Sequence, residues 1–328
     1  MNRVFAAVCV SALIFASANA QTKRQSVADV DWRQTNNPLT DVIAPGAKGR
    51  ALLRAQILLD RALFSPGEID AAYGPNFRSA LQGFQKAHQL PMTDELGPET
   101  WMVLNMDSAP VLVEYEISME DVAGPFKRIP RDLIQQSKLD SLGYESPIEL
   151  LGEKFHVSPK LLTSLNPAKA IDRAGERVMV PSVGSNSAPA TKAASVLVRK
   201  SDRTVSALDE NGQVIAQFPA SMGSEHDPLP IGKWKINGVG RNPVFHYNPK
   251  LFWDADPKHS NAKIAPGPNN PAGVLWIDLS KPHYGIHGTP EPSQVGHTQS
   301  HGCIRLTNWD AARLAALVFP GMPAILTE

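Results

Sequence analysis

The residues best suited to chemistry lie near the C-terminus, where a cysteine follows a group of histidines. Four of the nine histidines occur between positions 283 and 301, and Cys303 comes shortly after the last of them. The thiolate is the nucleophilic form of cysteine, and a neighbouring imidazole can accept the thiol proton. We therefore predict nucleophilic catalysis by Cys303, with His287 as the proton acceptor.

Small and charged neighbours would complete such a site. Gly288 beside His287 would leave room for a substrate, and Gly302 allows backbone turns that are closed to other residues. Successive N–H groups in a turn around Gly302 would be natural donors to an oxyanion. Arg305 is close enough in sequence to orient this loop or to hold a carboxylate, because the guanidinium fork matches carboxylate geometry.

Two other interpretations of these residues stay open. A dense histidine group can bind zinc, and the spacing of His283 and His287 would suit one face of a helix. The flanking residues favour a strand, however, and the nearest carboxylate is Glu291. Alternatively, Cys303 is a buried structural residue. His283 and His297, taken singly, are more typical of surface or packing positions than of catalysts.

The composition excludes several classes of protein. The 328 residues suggest two or three folded units. Lys plus Arg (32) equals Asp plus Glu (32), so no overall basic field exists to bind nucleic acid or an anionic membrane. No apolar run reaches the roughly 18 residues of a membrane span. Two cysteines are too few for a disulfide scaffold or a Cys-rich zinc site, and no pattern indicates a homo-oligomer.

The N-terminus predicts export to the periplasm or cell envelope. Residues 1–20 combine a basic start, a short apolar stretch and an A-x-A site, which is typical of a secretory signal peptide cleaved after Ala20. A buried N-terminal helix is the alternative. Cleavage would remove Cys9 and leave Cys303 as the only cysteine. In an oxidising compartment a lone thiol is either buried and inert or reactive and used.

Helical spacing dominates the chain after a polar leader. Residues 21–47 are polar and aperiodic, which predicts a flexible leader. Apolar periodicity then predicts three helices within 48–107, namely one from Arg50, one over Arg78–Gln89 and one over Pro98–Leu104.

These helices resemble a known module. Their apolar positions, together with Tyr73-Gly74 and the run 97–101 (GPETW), are similar to the three-helix peptidoglycan-binding domain of bacterial wall enzymes. The usual Asp-Gly pair of that domain is here Asp70-Ala71, a departure that bears on the loop between the first two helices.

Residues 111–182 form a second predicted unit. The pattern is helix, turn, helix and short strand over 147–181, with Leu165-Asn166-Pro167 and a final hydrophobic-Pro pair. This unit is similar to a LysM module, and a first strand at 111–117 would make 118–146 a long insertion. The unit is either a carbohydrate-binding module or a degenerate spacer. Residues 183–194 are rich in Ser, Ala, Pro and Gly and are predicted to be a linker.

Strand patterns dominate residues 195–328. An Asp209–Gly212 turn signal separates two of the early strands. Asn308 is predicted to cap a late helix over 309–318, and 322–326 are predicted to close the sheet. The long loop 241–273 is expected to be functional or mobile. The predicted strands are 196–198, 204–208, 213–218, 234–236, 274–279 and 284–287.

This third unit resembles the L,D-transpeptidase catalytic domain of the YkuD type. The resemblance is carried by the runs 267–271 (GPNNP), 286–289 (IHGT) and 300–306 (SHGCIRL). It implies a mainly-β fold, with Cys303 as the acylated nucleophile and His287 as the proton acceptor. His301, Gly302 and Cys303 would shape the oxyanion pocket, while Ser300 and Arg305 support it. The whole chain is thus predicted to be multidomain: a small all-α three-helix domain, an α+β LysM-like module and a mainly-β catalytic domain.

The resemblance also implies a reaction that needs neither metal nor cofactor. Cys303 would attack a tetrapeptide stem of peptidoglycan after diaminopimelate, release D-alanine and form a thioester. An amine of a neighbouring stem would then resolve the thioester as a 3-3 cross-link. The alternatives are resolution by water, which gives an L,D-carboxypeptidase or endopeptidase, attachment of a protein to the wall, and a non-catalytic wall-binding scaffold. Tethering through the two N-terminal units would raise the local substrate concentration.

Overall fold

The structure, a computed structural model, describes residues 31–38, 40–184 and 192–328. The predicted signal peptide, the first part of the leader and residues 185–191 of the linker therefore lie outside the described residues. Among the residues described, no helix is long and apolar enough to cross a membrane.

Three helices form the N-terminal region: α1 (Arg50–Arg61), α2 (Pro75–Ala87) and α3 (Pro98–Leu104). α2 begins three residues before the predicted start, because Pro75 occupies the first turn, where its missing N–H is not needed. Ala71 replaces the usual glycine and still adopts a left-handed φ of 58°. The Gln56 side chain stabilises this loop, since its oxygen accepts from the Ala71 N–H at 2.8 Å.

The described part of the leader differs from the flexible segment that was predicted. Residues Trp32–Asn36 form a 3-10 helix, and the Asp31 side chain caps it by accepting from the Arg33 N–H. The Asn36 side chain accepts from the N–H groups of Val111 and Leu112 at 2.9 and 2.8 Å. Ile43 is buried and pairs with Leu96 through two backbone hydrogen bonds. The polar residues of this segment therefore act as caps and bridges rather than as a solvated tail.

The middle region has a strand–helix–helix–strand core with an insertion: β1 (Leu112–Glu116), α4 (Leu133–Gln136), α5 (Pro147–Lys154), α6 (Pro159–Leu165) and β2 (Arg177–Pro181). β1 and β2 pair antiparallel. Ser146 and Ser158 cap α5 and α6 by accepting from backbone N–H groups of the first turn. The Asn166 side chain bonds both the N–H and the carbonyl of Met179, which attaches the end of α6 to β2.

The first two regions share one hydrophobic core. Leu53 and Trp101 from the N-terminal helices, and Leu151 and Val180 from the middle region, are fully buried in the same cluster. Val183, at the start of the predicted linker, also belongs to this core. The two predicted modules are therefore packed as one body.

An eight-stranded mixed sheet forms the C-terminal region. Its strands stand in the order β11-β10-β9-β6-β12-β3-β4-β5. The prediction that the last strand closes the sheet is wrong, because β12 lies between β6 and β3 near the middle, antiparallel to one and parallel to the other. The strands of this sheet are β3 (Ser195–Arg199), β4 (Thr204–Leu208), β5 (Val214–Pro219), β6 (Gly232–Arg241), β9 (Leu275–Leu279), β10 (Gly285–His287), β11 (Ile304–Arg305) and β12 (Pro323–Thr327).

Helix α7 (Asn308–Leu317) packs against β9 and β10. Its N-cap is Thr307, whose side chain accepts from the Asp310 N–H, so the prediction that Asn308 caps the helix is wrong. Asn308 is instead the first residue within the helix. Its side chain is consequently free to contact the loops that precede β9 and follow β10.

The long loop 241–273 is ordered by two strands, β7 (Phe245–Tyr247) and β8 (Ala262–Ile264), which pair antiparallel. The insertion of the middle region packs on them. Leu142, Tyr247 and Ile264 form a small buried cluster, and the Leu142 N–H donates to the Pro266 carbonyl at 2.9 Å. The His259 ring bonds the Asp132 carboxylate at 2.9 Å. The insertion of the middle region therefore supports this loop of the C-terminal region.

A buried ion pair joins the three regions. The Arg313 guanidinium of α7 donates two hydrogen bonds to the Asp60 carboxylate of α1, at 2.7 and 2.9 Å. His156 of the middle region bonds the same carboxylate through Nδ1 at 3.2 Å. Residues Asp31–Glu328 accordingly form a single compact unit.

Candidate active site

His287 ends β10, and Cys303 lies directly before the neighbouring strand β11. β10 and β11 pair in parallel, with Ile286 opposite Ile304 and His287 opposite Arg305. Side chains two positions apart share one face of a strand, and registered partners of parallel strands point the same way. Cys303 directly precedes β11 and is two residues before Arg305. The register sets His287 opposite Arg305, and the charge of Arg305 acts on both His287 and Cys303, so the three residues belong to one site.

His287 is held as a neutral imidazole. The ring is 5% exposed and stacks on Trp276, with centroids 5.3 Å apart. Nδ1 lies 2.6 Å from the Gly288 carbonyl, which can only accept, so the proton is on Nδ1 and Nε2 remains an acceptor. Burial, together with the positive charge of Arg305, lowers the pKa of His287 to about 4. The ring is consequently unprotonated at neutral pH.

Cys303 carries a thiol at rest. Burial raises the pKa of Cys303, although the backbone N–H of Gly285 and the charge of Arg305 act in the opposite direction. Sγ donates to the His283 carbonyl at 3.7 Å. At rest the site therefore holds a neutral thiol and a neutral imidazole rather than a thiolate–imidazolium pair.

The turn before Cys303 depends on Gly302. This residue has a left-handed φ of 95°, and a Cβ here would lie 2.8 Å from the Tyr284 ring. The Ser300 hydroxyl donates to the Cys303 carbonyl and closes the turn. Only glycine combines this conformation with so close an approach of the Tyr284 ring.

Gly288 serves a different purpose from the predicted one. A Cβ at this position would lie 2.2 Å from the Asn308 Oδ1. The space beside Gly288 is therefore occupied by the Asn308 side chain rather than left open for a substrate.

The His301 side chain is turned to the loop 241–273. Its Nε2 bonds the Asp254 carboxylate at 2.8 Å, and its ring packs edge-on against Phe252 at 4.9 Å. In this arrangement the His301 ring attaches the Cys303 turn to the loop, and the ring nitrogen facing the loop is occupied by the Asp254 carboxylate. Trp253 next to it is 60% exposed and stacks on His226.

The remaining predicted histidines are peripheral. The side chains of His283 and His297 are exposed, and His283 contributes its backbone carbonyl to the site. Across the described residues, no three His, Cys, Asp or Glu side chains are grouped as metal ligands.

Sequence reasoning gave no site role to Trp276, Tyr284 or Asn308, although it named Asn308 as a helix cap. Each of them acts by packing against a residue that lies elsewhere in the chain, so their own sequence contexts carry no motif. Gly288 and Gly302 were the only hint of these contacts in the sequence motifs. Each glycine marks a place where another side chain, Asn308 or Tyr284, approaches the backbone.

The site combines a partly buried thiol with an imidazole that has one free nitrogen, and these are the two groups that cysteine nucleophiles use. Comparison with known proteins agrees with this class. Residues 193–326 match the YkuD model, described as the L,D-transpeptidase catalytic domain. Residues 48–104 match the model described as "Putative peptidoglycan binding domain".

Two Bacillus proteins that bear the name "Putative L,D-transpeptidase YkuD" are similar over much of their length. The protein of Bacillus licheniformis is 29% identical over 182 residues, which is 55% of this chain and 93% of that protein. The protein of Bacillus subtilis is 30% identical over 165 residues, or 50% of this chain and 83% of that protein. The chain therefore belongs to the L,D-transpeptidase family, and it carries a peptidoglycan-binding domain ahead of the catalytic domain.

Solved structures give a weaker likeness. A crystal structure of an L,D-transpeptidase from Xylanimonas cellulosilytica is 15% identical, with a TM-score of 0.37 over 88% of this chain and 99% of that one. Mycobacterium tuberculosis L,D-transpeptidase 1 is 21% identical, with a TM-score of 0.31 over 40% of this chain and 60% of that one.

Proposed function

We propose that this chain is an exported cell-wall L,D-transpeptidase that forms 3-3 cross-links through a thioester on Cys303. One observation carries the proposal. The Nδ1–H of His287 is bonded to the Gly288 carbonyl, so Nε2 is the nitrogen that can take the Cys303 proton. Family membership supplies the substrate class, which is peptidoglycan.

The first step forms the acyl-enzyme. Cys303 Sγ bonds to the carbonyl carbon of diaminopimelate in a tetrapeptide stem, and the bond from that carbon to the D-alanine nitrogen breaks. The thiol proton passes to His287 Nε2 and then to the departing amine of D-alanine. The backbone N–H groups of the turn at Gly302 and Cys303 stabilise the oxyanion in this proposal.

The second step transfers the acyl group. An amine of a neighbouring stem attacks the thioester carbon, loses its proton to His287 and displaces the Cys303 thiolate, which recovers that proton. The new amide is the cross-link. Ser300 supports the step by holding the turn, and the charge of Arg305 favours the thiolate whenever it is released.

The N-terminal regions supply the tether in this proposal. Residues 48–107 would bind the wall as a peptidoglycan-binding domain, and 111–182 would be a LysM-like module. The second assignment is supported by the antiparallel β1–β2 pair with α5 and α6 between them in sequence. A tether raises the effective substrate concentration without adding contacts at the reacting atoms.

The test is intact-protein mass spectrometry after incubation with purified disaccharide-tetrapeptide. The Cys303→Ala variant runs in parallel, and the muropeptides are read from the same tube. We expect a mass increase in the wild type alone, with release of D-alanine and new tetrapeptide-derived dimers.

Other outcomes would change the conclusion. An adduct that yields only tripeptide would replace transpeptidation by carboxypeptidase activity. An adduct on Cys303→Ala would remove that residue from the nucleophile role. A folded wild-type protein that gives neither an adduct nor turnover, but still binds sacculi, would favour a wall-binding scaffold.

A further inference from the structure

Helix α5 of the middle region presents two glutamates to the catalytic region. Glu149 and Glu153 are four residues apart and therefore share one face of the helix. Glu149 accepts from the Asn269 side-chain amide at 2.7 Å, and Glu153 accepts from the Asn308 side-chain amide at 2.7 Å. Asn269 belongs to the GPNNP run, so both contacts reach parts of the chain that carry or support the site.

The Asn308 side chain is enclosed. It is 3% exposed, and its Oδ1 accepts from the Val274 N–H at 3.1 Å. A Cβ on Gly273 or on Gly288 would lie 2.1 or 2.2 Å from this oxygen. The amide therefore fits between two glycines, and its position determines where the backbone at Gly288 can lie.

Gly288 is in turn the residue that fixes His287. Its carbonyl accepts from the His287 Nδ1–H at 2.6 Å, which selects the tautomer with a free Nε2. A continuous set of contacts thus runs from Glu153 through Asn308 and Gly288 to the imidazole. Glu153 is itself held from the other side, because the Tyr144 hydroxyl donates to its second oxygen at 3.3 Å.

We propose that Glu153 is a positioning residue for catalysis, which acts through Asn308 and Gly288 on the tautomer and orientation of the His287 ring. The middle region is then part of the support of the active site, in addition to any tethering. The inference rests on the proposed role of His287, and it concerns a residue outside the catalytic domain.

The test compares Glu153→Ala with Glu153→Gln and with the control Lys154→Ala, the next residue of α5, whose ammonium pairs with Asp121 within the middle region at 2.8 Å. Steady-state turnover of disaccharide-tetrapeptide gives kcat and KM. We expect Glu153→Ala to lower kcat by about 10- to 100-fold while KM changes little, because misplacement of a catalytic group affects the transition state most. Glu153→Gln should recover most of the loss, since its amide oxygen can still accept from Asn308.

A second readout does not need the proposed substrate. The rate at which iodoacetamide alkylates Cys303 is measured against pH for each variant and for His287→Ala. We expect the profile of Glu153→Ala to move from that of the wild type toward that of His287→Ala, while Lys154→Ala keeps the wild-type profile. If the wild type fails to turn over tetrapeptide, the proposed function fails, and the alkylation profiles still decide the role of Glu153.

Three results would overturn the inference. One is equal loss in Glu153→Ala and Lys154→Ala, which would indicate a general weakening of the helix. Another is an unchanged alkylation profile in a Glu153→Ala protein that is folded by circular dichroism. The third is strict additivity in a double-mutant cycle of Glu153→Ala with Asn308→Ala, because residues in one contact chain should be coupled.

Discussion

Two buried histidines of this protein stack on tryptophans and yet have opposite surroundings. His287 stacks on Trp276 at 5.3 Å, and His156 stacks on Trp309 at 4.9 Å. Both are 5% exposed or less, and burial is the main cause that lowers the pKa of each. The two histidines differ in the group that is hydrogen-bonded to Nδ1. It is the Gly288 carbonyl for His287 and the Asp60 carboxylate for His156.

The group bonded to Nδ1 determines whether a buried histidine is available for chemistry. Asp60 is already paired with Arg313 through two hydrogen bonds, so His156 completes a closed cluster at the junction of three regions. In His287, Nδ1 is hydrogen-bonded to a neutral carbonyl. Cys303 of the same site is a half-buried free thiol. The first environment stabilises the fold, while the second leaves Nε2 of His287 able to accept a proton.

The sharpest test of this comparison removes each ring in turn. His287→Ala should reduce kcat/KM by about 10²- to 10⁴-fold, the usual contribution of a general base. His156→Ala should leave turnover per folded molecule close to that of the wild type, because its ring lies in the junction. Initial rates at a temperature where both variants are folded by circular dichroism would measure this. Comparable activity losses in the two variants would remove the distinction.

The next largest effect concerns stability. Asp60→Ala removes the carboxylate that pairs with the buried Arg313 charge and leaves it the Val183 carbonyl and the more distant Asp310, so we expect the free energy of unfolding to fall by about 3 to 5 kcal/mol. The matched control is Asp202→Ala, which breaks the exposed pair with Arg199 and should cost about 1 kcal/mol or less. Urea unfolding followed by tryptophan fluorescence would measure both. A similar cost for the two variants would show that the junction is not a stabilising cluster.

The smallest effect is a dependence of stability on pH at the same junction. Burial raises the pKa of Asp310 to about 7, despite the nearby charge of Arg313. An acid whose pKa is raised by folding binds its proton more tightly in the native state, so its ionisation costs stability as pH rises from about 4 through 7. Asp310→Asn should therefore be more stable than the wild type at pH 8 by about 1 to 3 kcal/mol, and nearly equal to it at pH 4.

The opposite sign is expected for Asp60, which serves as the internal reference. Burial alone would raise its pKa, but the charges of Arg313 and His156 outweigh burial and hold it at about 2. Its contribution is present above the ordinary pKa of an aspartate and is lost as pH falls toward 2. Urea unfolding at pH 4, 6 and 8 separates the two residues. An Asp310→Asn protein that gains nothing at pH 8 would contradict the burial of a charge at this position.

The sequence by itself determined the chemical class and the main elements. The runs 286–289 and 300–306 carried the resemblance to the family, and the match of residues 193–326 to the family model confirmed it. Apolar periodicity predicted α1 and α3, and strand-type residues bounded by turn signals predicted β4 and β9. The turn at Gly302 was also predictable, because its left-handed backbone conformation favours glycine.

Only the tertiary structure decided how the regions meet. Three features depend on residues that are distant in sequence. They are the core shared by the first two regions, the position of β12 near the middle of the sheet, and the contacts of α5 with Asn269 and Asn308. Periodicity reports which side of an element is buried and carries no information about the element that covers it. For the same reason, the partner of each buried histidine, which separates His287 from His156, is a property of the packed chain alone.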